Sequence, residues 1–223
     1  MSEMKTYQIK LIKQTHLMNE YYQFDFEKPV DFTFDNGQYA LFAHVNKEVD
    51  GRKVRAFSIA SSADEDFIRI ATRIIDKPSD FKQKLKDLKP GDVIQFNAPV
   101  GDFTLEENTN HVFVAGGIGI TPIRSMLLDI NLEQNNDALL LYSEINEAYP
   151  FLEEFKALEG VDIKLAHDIE PTQKIIKEAA KQYHNNAIYY LAGSPSFVSG
   201  ISGQLISLGI DKSHIKFDKF TGY

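Results

Sequence analysis

Apolar and polar positions alternate in short runs along the first hundred residues, the pattern of half-buried β-strands. One helical segment, SDFKQKLKDL, interrupts these runs, and Ser79 is its expected N-cap. Strands at this spacing favour a closed or nearly closed antiparallel barrel. The predicted strands are TYQIKLIKQ, EYYQFDFE, QYALFAHV, VRAFSIA, DFIRIATRII and DVIQFNAP.

The pattern changes after the polar segment EENTN at 106–110, which we interpret as a linker. Beyond it, continuous apolar runs alternate with helical segments, which predicts a parallel sheet covered on both faces. We therefore predict two domains, an antiparallel β-barrel over 1–105 and a doubly wound α/β domain over 111–223. The helices of the second domain are expected near 121–133, 150–158, 172–183 and 195–208.

Composition narrows the class of protein. The chain has 223 residues, of which 43% are hydrophobic and 25% charged, as in ordinary globular proteins. A net charge of −8 and the lack of a basic stripe disfavour nucleic acid as a partner. The first twenty residues alternate apolar and polar types, so we expect neither a signal peptide nor a membrane span, and a cytoplasmic protein.

The chain contains no cysteine, which excludes disulfides, thiolate catalysis and cysteine-ligated iron–sulfur clusters. Its six histidines are scattered and form no pair at helical metal-ligand spacing, so no metal site is predicted. Redox chemistry would therefore need an organic cofactor or a partner.

The stretch VRAFSIASS combines groups that are unusual on one short strand. Alternation places Arg55 and Phe57 on one face and Ser58 on the other, and two more hydroxyls follow at Ser61 and Ser62. A cation, a ring and hydroxyls suit a ligand that carries a phosphate and a flat ring system.

A second stretch, VAGGIGITP, joins a predicted strand to a predicted helix. Gly116, Gly117 and Gly119 would let the backbone approach a pyrophosphate, and the helix would begin with Thr121 as its cap and Pro122 in its first turn. This predicts a dinucleotide site, although a tight strand-to-helix turn would produce the same glycines.

An adenosine ribose would lie at the end of the next strand. The segment from Leu139 to Phe155 has no Lys or Arg and four glutamates. A 2′-phosphate would find no cation there, whereas Glu144 could accept a hydrogen bond from a free 2′-hydroxyl. The sequence therefore favours NADH over NADPH. The alternative is that these glutamates only form the solvated start of a helix.

A barrel with RAFS followed by a domain with GGIGITP resembles the ferredoxin:NADP reductase family of flavoenzymes, over essentially the whole chain. In that family the arginine binds a flavin phosphate, the aromatic ring packs against the flavin, and the hydroxyl lies beside N5. The resemblance implies these roles for Arg55, Phe57 and Ser58, with Ala56 between them, and a flavin-phosphate contact at Ser79. It implies FAD as the cofactor, with FMN less favoured. NGQYALF, APVGDFTL and the C-terminal FDKFTGY match as well.

The chain departs from the family pattern at several positions. Phe57 stands where tyrosine is usual, and Ala192 stands where a cysteine commonly precedes Gly193 in a CGP motif whose proline is here a serine. Asp218 stands where glutamate is frequent. With Ser58 and the terminal aromatic Tyr223, Asp218 is a candidate catalytic residue by resemblance.

The resemblance implies that hydride passes from NAD(P)H to FAD and that electrons continue to an acceptor protein, such as a ferredoxin or an oxygenase component. One alternative is an NAD(P)H:flavin reductase with loosely bound flavin, whose motif is commonly RxFS-like. Another is a non-catalytic nucleotide-binding subunit of an electron-transfer complex. Four lysines of the helical segment could steer an acidic acceptor, or could form an ordinary solvated face: Lys82, Lys84, Lys86 and Lys89.

Overall fold

A computed structural model of the chain describes residues 5–130 and 137–220, and its backbone divides into two compact units. The first comprises Met1–Thr104 and Arg124–Asp129, and the second comprises Leu105–Ile123 and Ile130–Tyr223. None of the helices in the described ranges has both the length and the apolar character needed to cross a lipid bilayer.

The first unit is built on a six-stranded antiparallel sheet with the order β4-β3-β6-β1-β2-β5. Just beyond the edge strand β4, the amide of Ala60 donates to the carbonyl of Arg69 on the other edge strand, β5, at 2.7 Å. The sheet is therefore a nearly closed barrel, as the alternating pattern predicts. Its strands are β1 (Lys5–Met18), β2 (Tyr21–Glu27), β3 (Tyr39–His44), β4 (Val54–Ser58), β5 (Phe67–Arg73) and β6 (Val93–Val100).

One helix of the first unit, α1 (Asp80–Lys86), packs on the barrel. The prediction that Ser79 caps it is confirmed, because the Ser79 hydroxyl accepts a hydrogen bond from the amide of Lys82 at 3.5 Å. Phe81 and Leu85 lie on the buried face of α1 and join the barrel core. Burial of these two side chains fixes α1 against the sheet.

The second unit contains a parallel sheet with the order β11-β10-β7-β8-β9. Every residue of β10 is buried, which explains why its sequence AIYYLAG is continuously apolar. The predicted two-domain fold class, an antiparallel barrel and an α/β parallel sheet, is confirmed. The strands are β7 (Asn110–Gly116), β8 (Ala138–Ser143), β9 (Val161–Ala166), β10 (Ala187–Gly193) and β11 (Ile215–Lys219). The helices are α2 (Ile120–Leu127), which begins in this unit and whose residues from Arg124 onward are assigned to the first, α3 (Leu152–Lys156), α4 (Ile169–Tyr183) and α5 (Pro195–Ser207).

The start of α2 differs from the prediction. A 3-10 turn over Gly117–Gly119 directly precedes α2, which begins at Ile120. Thr121 therefore lies inside the helix and is not its N-cap. Its hydroxyl instead donates to the carbonyl of Ile118 at 3.0 Å, and its side chain is buried. The glycine turn takes the place of a capping side chain. The helix also ends at Leu127, earlier than the expected 133.

Candidate cofactor-binding sites

Strand β4 carries the RAFS motif along one edge of the first unit's sheet. Phe57 and Ser58 are buried, Arg55 is half-buried and Ala56 is exposed. Pairing with β3 places Ser58 opposite Tyr39. The motif therefore presents a cation and a hydroxyl beside a buried ring.

The ring of Phe57 belongs to the barrel core. Its centroid lies 5.7 Å from that of Phe42, edge to face, and 6.0 Å from that of Phe81 on α1. Phe57 therefore couples β4 to α1 by ring packing.

The other two hydroxyls of VRAFSIASS stabilise the loop after β4. The hydroxyl of Ser61 accepts from the amide of Arg69 at 3.0 Å, and that of Ser62 accepts from the amide of Asp64 at 3.2 Å. Both side chains are buried. They satisfy backbone donors within the first unit, so their presence in the sequence has a structural explanation.

The charges of two arginines, Arg55 of the motif and Arg73 of β5, act on the amino group of Lys82. The amino group of Lys82 donates to the backbone carbonyl of Arg73 at 2.9 Å, and burial together with the charges of Arg55 and Arg73 lowers the pKa of Lys82 to about 8. Burial and the charge of Arg52 also lower the pKa of Arg55. The guanidinium of Arg73 pairs with Glu20 at 2.6 Å.

The charges of Arg55 and Arg73 disfavour the ammonium form of Lys82, and a phosphate would offset that effect. The residues present therefore fit a flavin that carries phosphate groups. Sequence reasoning missed Lys82 as a member of this cluster, because a helical lysine beside one apolar position has the same pattern whether its amino group is buried or solvated.

The lysines of the helical segment are not a free positive surface. Lys82 points into the cation cluster, Lys84 forms an ion pair with Asp80, and the amino group of Lys86 lies 4.7 Å from the ring centroid of Tyr22. Three of the four lysines are thus engaged within the first unit, so α1 presents less positive charge to an acidic partner than the sequence suggests.

In the second unit, two of the three motif glycines are required by packing. A Cβ at Gly116 would lie 2.7 Å from the ring of Phe197, and one at Gly119 would lie 2.1 Å from the carbonyl oxygen of Ala192. Gly117 has a φ of 55°, the left-handed conformation of the tight turn. Close helix-to-strand packing is one of the roles that glycines have in dinucleotide-binding folds, and the packing of this motif fits that role.

Glu144 follows β8 at the carboxyl edge of the parallel sheet, the edge where such folds bind ligands. The side chain is largely buried, and its Oε1 accepts from the amide of Asn146 at 3.3 Å. The Glu144 amide donates to Ala166 at the end of β9. Glu144 is therefore held in place at the expected edge. Gly193, the last residue of β10, lies at the same edge.

The last strand, β11, places Asp218 opposite Ala192 of β10, and Asp218 is half-buried. The amide of Phe220 donates to the carbonyl of Gly193 at 2.9 Å, so the chain leaves β11 alongside the end of β10. Tyr223, the other candidate at this end, lies outside the described residues.

Residues 8–105 match the family described as oxidoreductase FAD-binding domain. The chain is 28% identical, over 89% of its length, to a component of the Na(+)-translocating NADH-quinone reductase of Actinobacillus pleuropneumoniae. It is 26% identical, over 95% of its length, to flavohemoprotein A of Dictyostelium discoideum. The chain spans 56% and 58% of the length of these two relatives.

A ferredoxin NADP+ reductase from Neisseria gonorrhoeae, solved with bound FAD and NADP, has a similar fold. The TM-score is 0.79 at 18% sequence identity, over 97% of this chain and 99% of the other. At 18% identity this likeness shows a shared fold and nothing further.

Proposed function

We propose that this chain is an NAD(P)H-dependent oxidoreductase of the ferredoxin reductase-like kind, which uses bound FAD and passes electrons to a redox partner; the match of residues 8–105 to the FAD-binding domain and the similar fold support this. The observation that carries the proposal is the cation cluster of Lys82, Arg73 and the motif residue Arg55, in which the Lys82 amino group donates to the Arg73 carbonyl at 2.9 Å. It lies in the unit that matches the FAD-binding family, and a cofactor phosphate would neutralise it.

Each predicted domain then has its own binding task. In residues 1–105, Arg55 and Ser79 bind the flavin phosphates and Ser58 donates a hydrogen bond near the reactive ring nitrogen. In residues 111–223, the backbone at Gly117 and the edge at Glu144 hold the nucleotide. FAD held by these residues would supply a hydride acceptor for reduced nicotinamide and a donor of electrons one or two at a time. Asp218 and Tyr223 are assigned to the same reaction by resemblance.

We infer that the electron acceptor lies on another protein or domain, because the sequence has no cysteine to ligate an iron–sulfur cluster of its own. A ferredoxin-like carrier is the acceptor that the resemblance favours.

A second function, reduction of flavin as a free substrate, is favoured by one feature of the motif. Phe57 has no hydroxyl, and its ring packs against Phe42 and Phe81 in the barrel core, so fewer polar contacts would hold the flavin. A docking protein without catalysis is the third candidate. The visible spectrum of the purified protein separates the three. Bound flavin absorbance supports the proposal, colourless protein that oxidises NADH only with added flavin supports the second function, and neither behaviour supports the third.

The nucleotide preference is a separate prediction. NADH should have a higher kcat/KM than NADPH, because the carboxylate of Glu144 repels a 2′-phosphate. Glu144→Arg should shrink the ratio about tenfold, the effect of one charge-assisted contact. The measurement is kcat/KM for both nucleotides with ferricyanide as acceptor.

Glu153→Arg is the matched control, because Glu153 lies in the same acidic segment but is exposed and paired with Lys156. It should leave the ratio within about twofold. Glu144→Gln, which keeps an acceptor for the Asn146 amide, tests the charge alone if the arginine variant folds poorly. Equal kcat/KM for the two nucleotides in the parent protein would contradict the prediction.

A further inference from the structure

The amino group of Lys82 has surroundings that are unusual for a lysine on a helix at the protein surface. Lys82 is half-buried, and its amino group donates to a backbone carbonyl, that of Arg73, rather than to a carboxylate. Ring contact between Phe57 and Phe81 fixes α1 against β4, and Lys82 directly follows Phe81. The fold thereby holds this amino group where the charge of Arg55 acts on it.

The charged groups that act on Lys82 from neighbouring elements are Arg55 on β4 and Arg73 on β5, and both are positive. Glu20 is engaged with the Arg73 guanidinium. On α1 itself, Lys84 neutralises Asp80, while Lys86 lies over the ring of Tyr22. The surroundings of the Lys82 amino group thus hold its pKa below that of an exposed lysine until an anion arrives.

We propose that Lys82 is a further binding residue of the flavin phosphate site, and that its amino group takes up a proton from solvent when the phosphates bind. This inference rests on the proposed flavin function. The bound phosphate accepts hydrogen bonds from the ammonium form, and no other bond is made or broken.

The same burial means that charged Lys82 destabilises the folded protein when no flavin is bound. Its pKa of about 8 in the folded protein lies below that of an exposed lysine, so the unfolded chain binds more protons between these two values. The stability of the flavin-free protein should therefore rise with pH through this window. A residue that opposes folding and favours ligand binding has the signature of a functional group.

Proton uptake is the direct test. FAD is titrated into flavin-free protein by calorimetry, in pairs of buffers that differ in ionisation enthalpy. Linkage from a pKa of about 8 predicts uptake of about 0.8 proton near pH 9 and about 0.1 proton near pH 7. From pH 7 to pH 9 the Kd for FAD should rise about tenfold.

The variants make the assignment specific to Lys82. Lys82→Met should bind FAD about tenfold more weakly near pH 7, show no proton uptake, and raise the Tm of the flavin-free protein. Lys86→Met removes the same charge from the same helix and should leave Kd and uptake near those of the parent. Riboflavin, which has no phosphate, should bind both variants and the parent equally.

The outcomes separate this inference from the proposed function. Parent protein that binds FAD with no proton uptake near pH 9, or Lys82→Met that binds FAD as tightly as the parent, overturns the role of Lys82 and leaves the flavin function standing. Parent protein that binds no FAD at any pH overturns the proposed function and this inference with it. If Lys82→Met does not fold, the parent's proton uptake alone decides.

Discussion

Arg55→Ala should weaken FAD binding at least tenfold. A hydrogen-bonded contact between a guanidinium and a phosphate contributes about 1.5–3 kcal/mol, and the chain's net charge of −8 offers no general attraction to an anion that could replace it. The loss is measured as the change in Kd for FAD, from quenching of flavin fluorescence on titration.

Two controls identify the lost contact as one to phosphate. Arg52→Ala removes the same charge from an exposed neighbouring position and should change the Kd for FAD by less than about threefold. Riboflavin should bind Arg55→Ala as it binds the parent. An Arg55→Ala protein that retains FAD with parental affinity would show that RAFS is not the phosphate site.

The second large effect is expected at Gly119. Its substitution by alanine places a Cβ 2.1 Å from the Ala192 carbonyl oxygen, a backbone atom that cannot rotate away. The start of α2 must then separate from β10, which should lower the free energy of unfolding by about 3 kcal/mol. Because α2 begins at the glycine turn proposed to hold the nucleotide, the affinity for NADH should fall as well. Urea denaturation and NADH titration measure the two losses.

Gly203→Ala is the matched control, since among the described residues no atom lies within 4 Å of the Cβ it would add in α5. Alanine is the better helix former, so this substitution should stabilise the protein by about 0.5–1 kcal/mol. If Gly119→Ala is as stable as the parent, the close packing of α2 on β10 is wrong.

Much of the fold could be predicted because burial is recorded locally in the sequence. The alternation in β1 to β6 and the continuous apolar runs of β7, β8 and β10 follow from sheets that are buried on one face or on both. The cap at Ser79 was predictable for the same reason, since it depends on residues three positions apart. Thr121 misled the prediction because the 3-10 turn before it cannot be recognised from an N-cap pattern.

The candidate sites were less predictable because they depend on contacts between distant segments. Lys82 becomes a candidate ligand-binding group only because α1, β4 and β5 bring three cations together. Similarly, the size of Phe197 in α5 explains why Gly116 must lack a side chain, and neither residue reveals the other in the sequence. Motif spacing identified the kind of site, and long-range packing determines which additional side chains complete it.

The most direct measurement of the central claim is an anaerobic titration of the FAD-loaded protein with NADH, followed by the visible absorbance of the bound flavin. We expect about one equivalent of NADH to bleach that absorbance, because hydride transfer to FAD is stoichiometric. Added ferricyanide should then restore the absorbance. A protein that binds FAD but whose flavin absorbance is unchanged by excess NADH and NADPH would contradict the account.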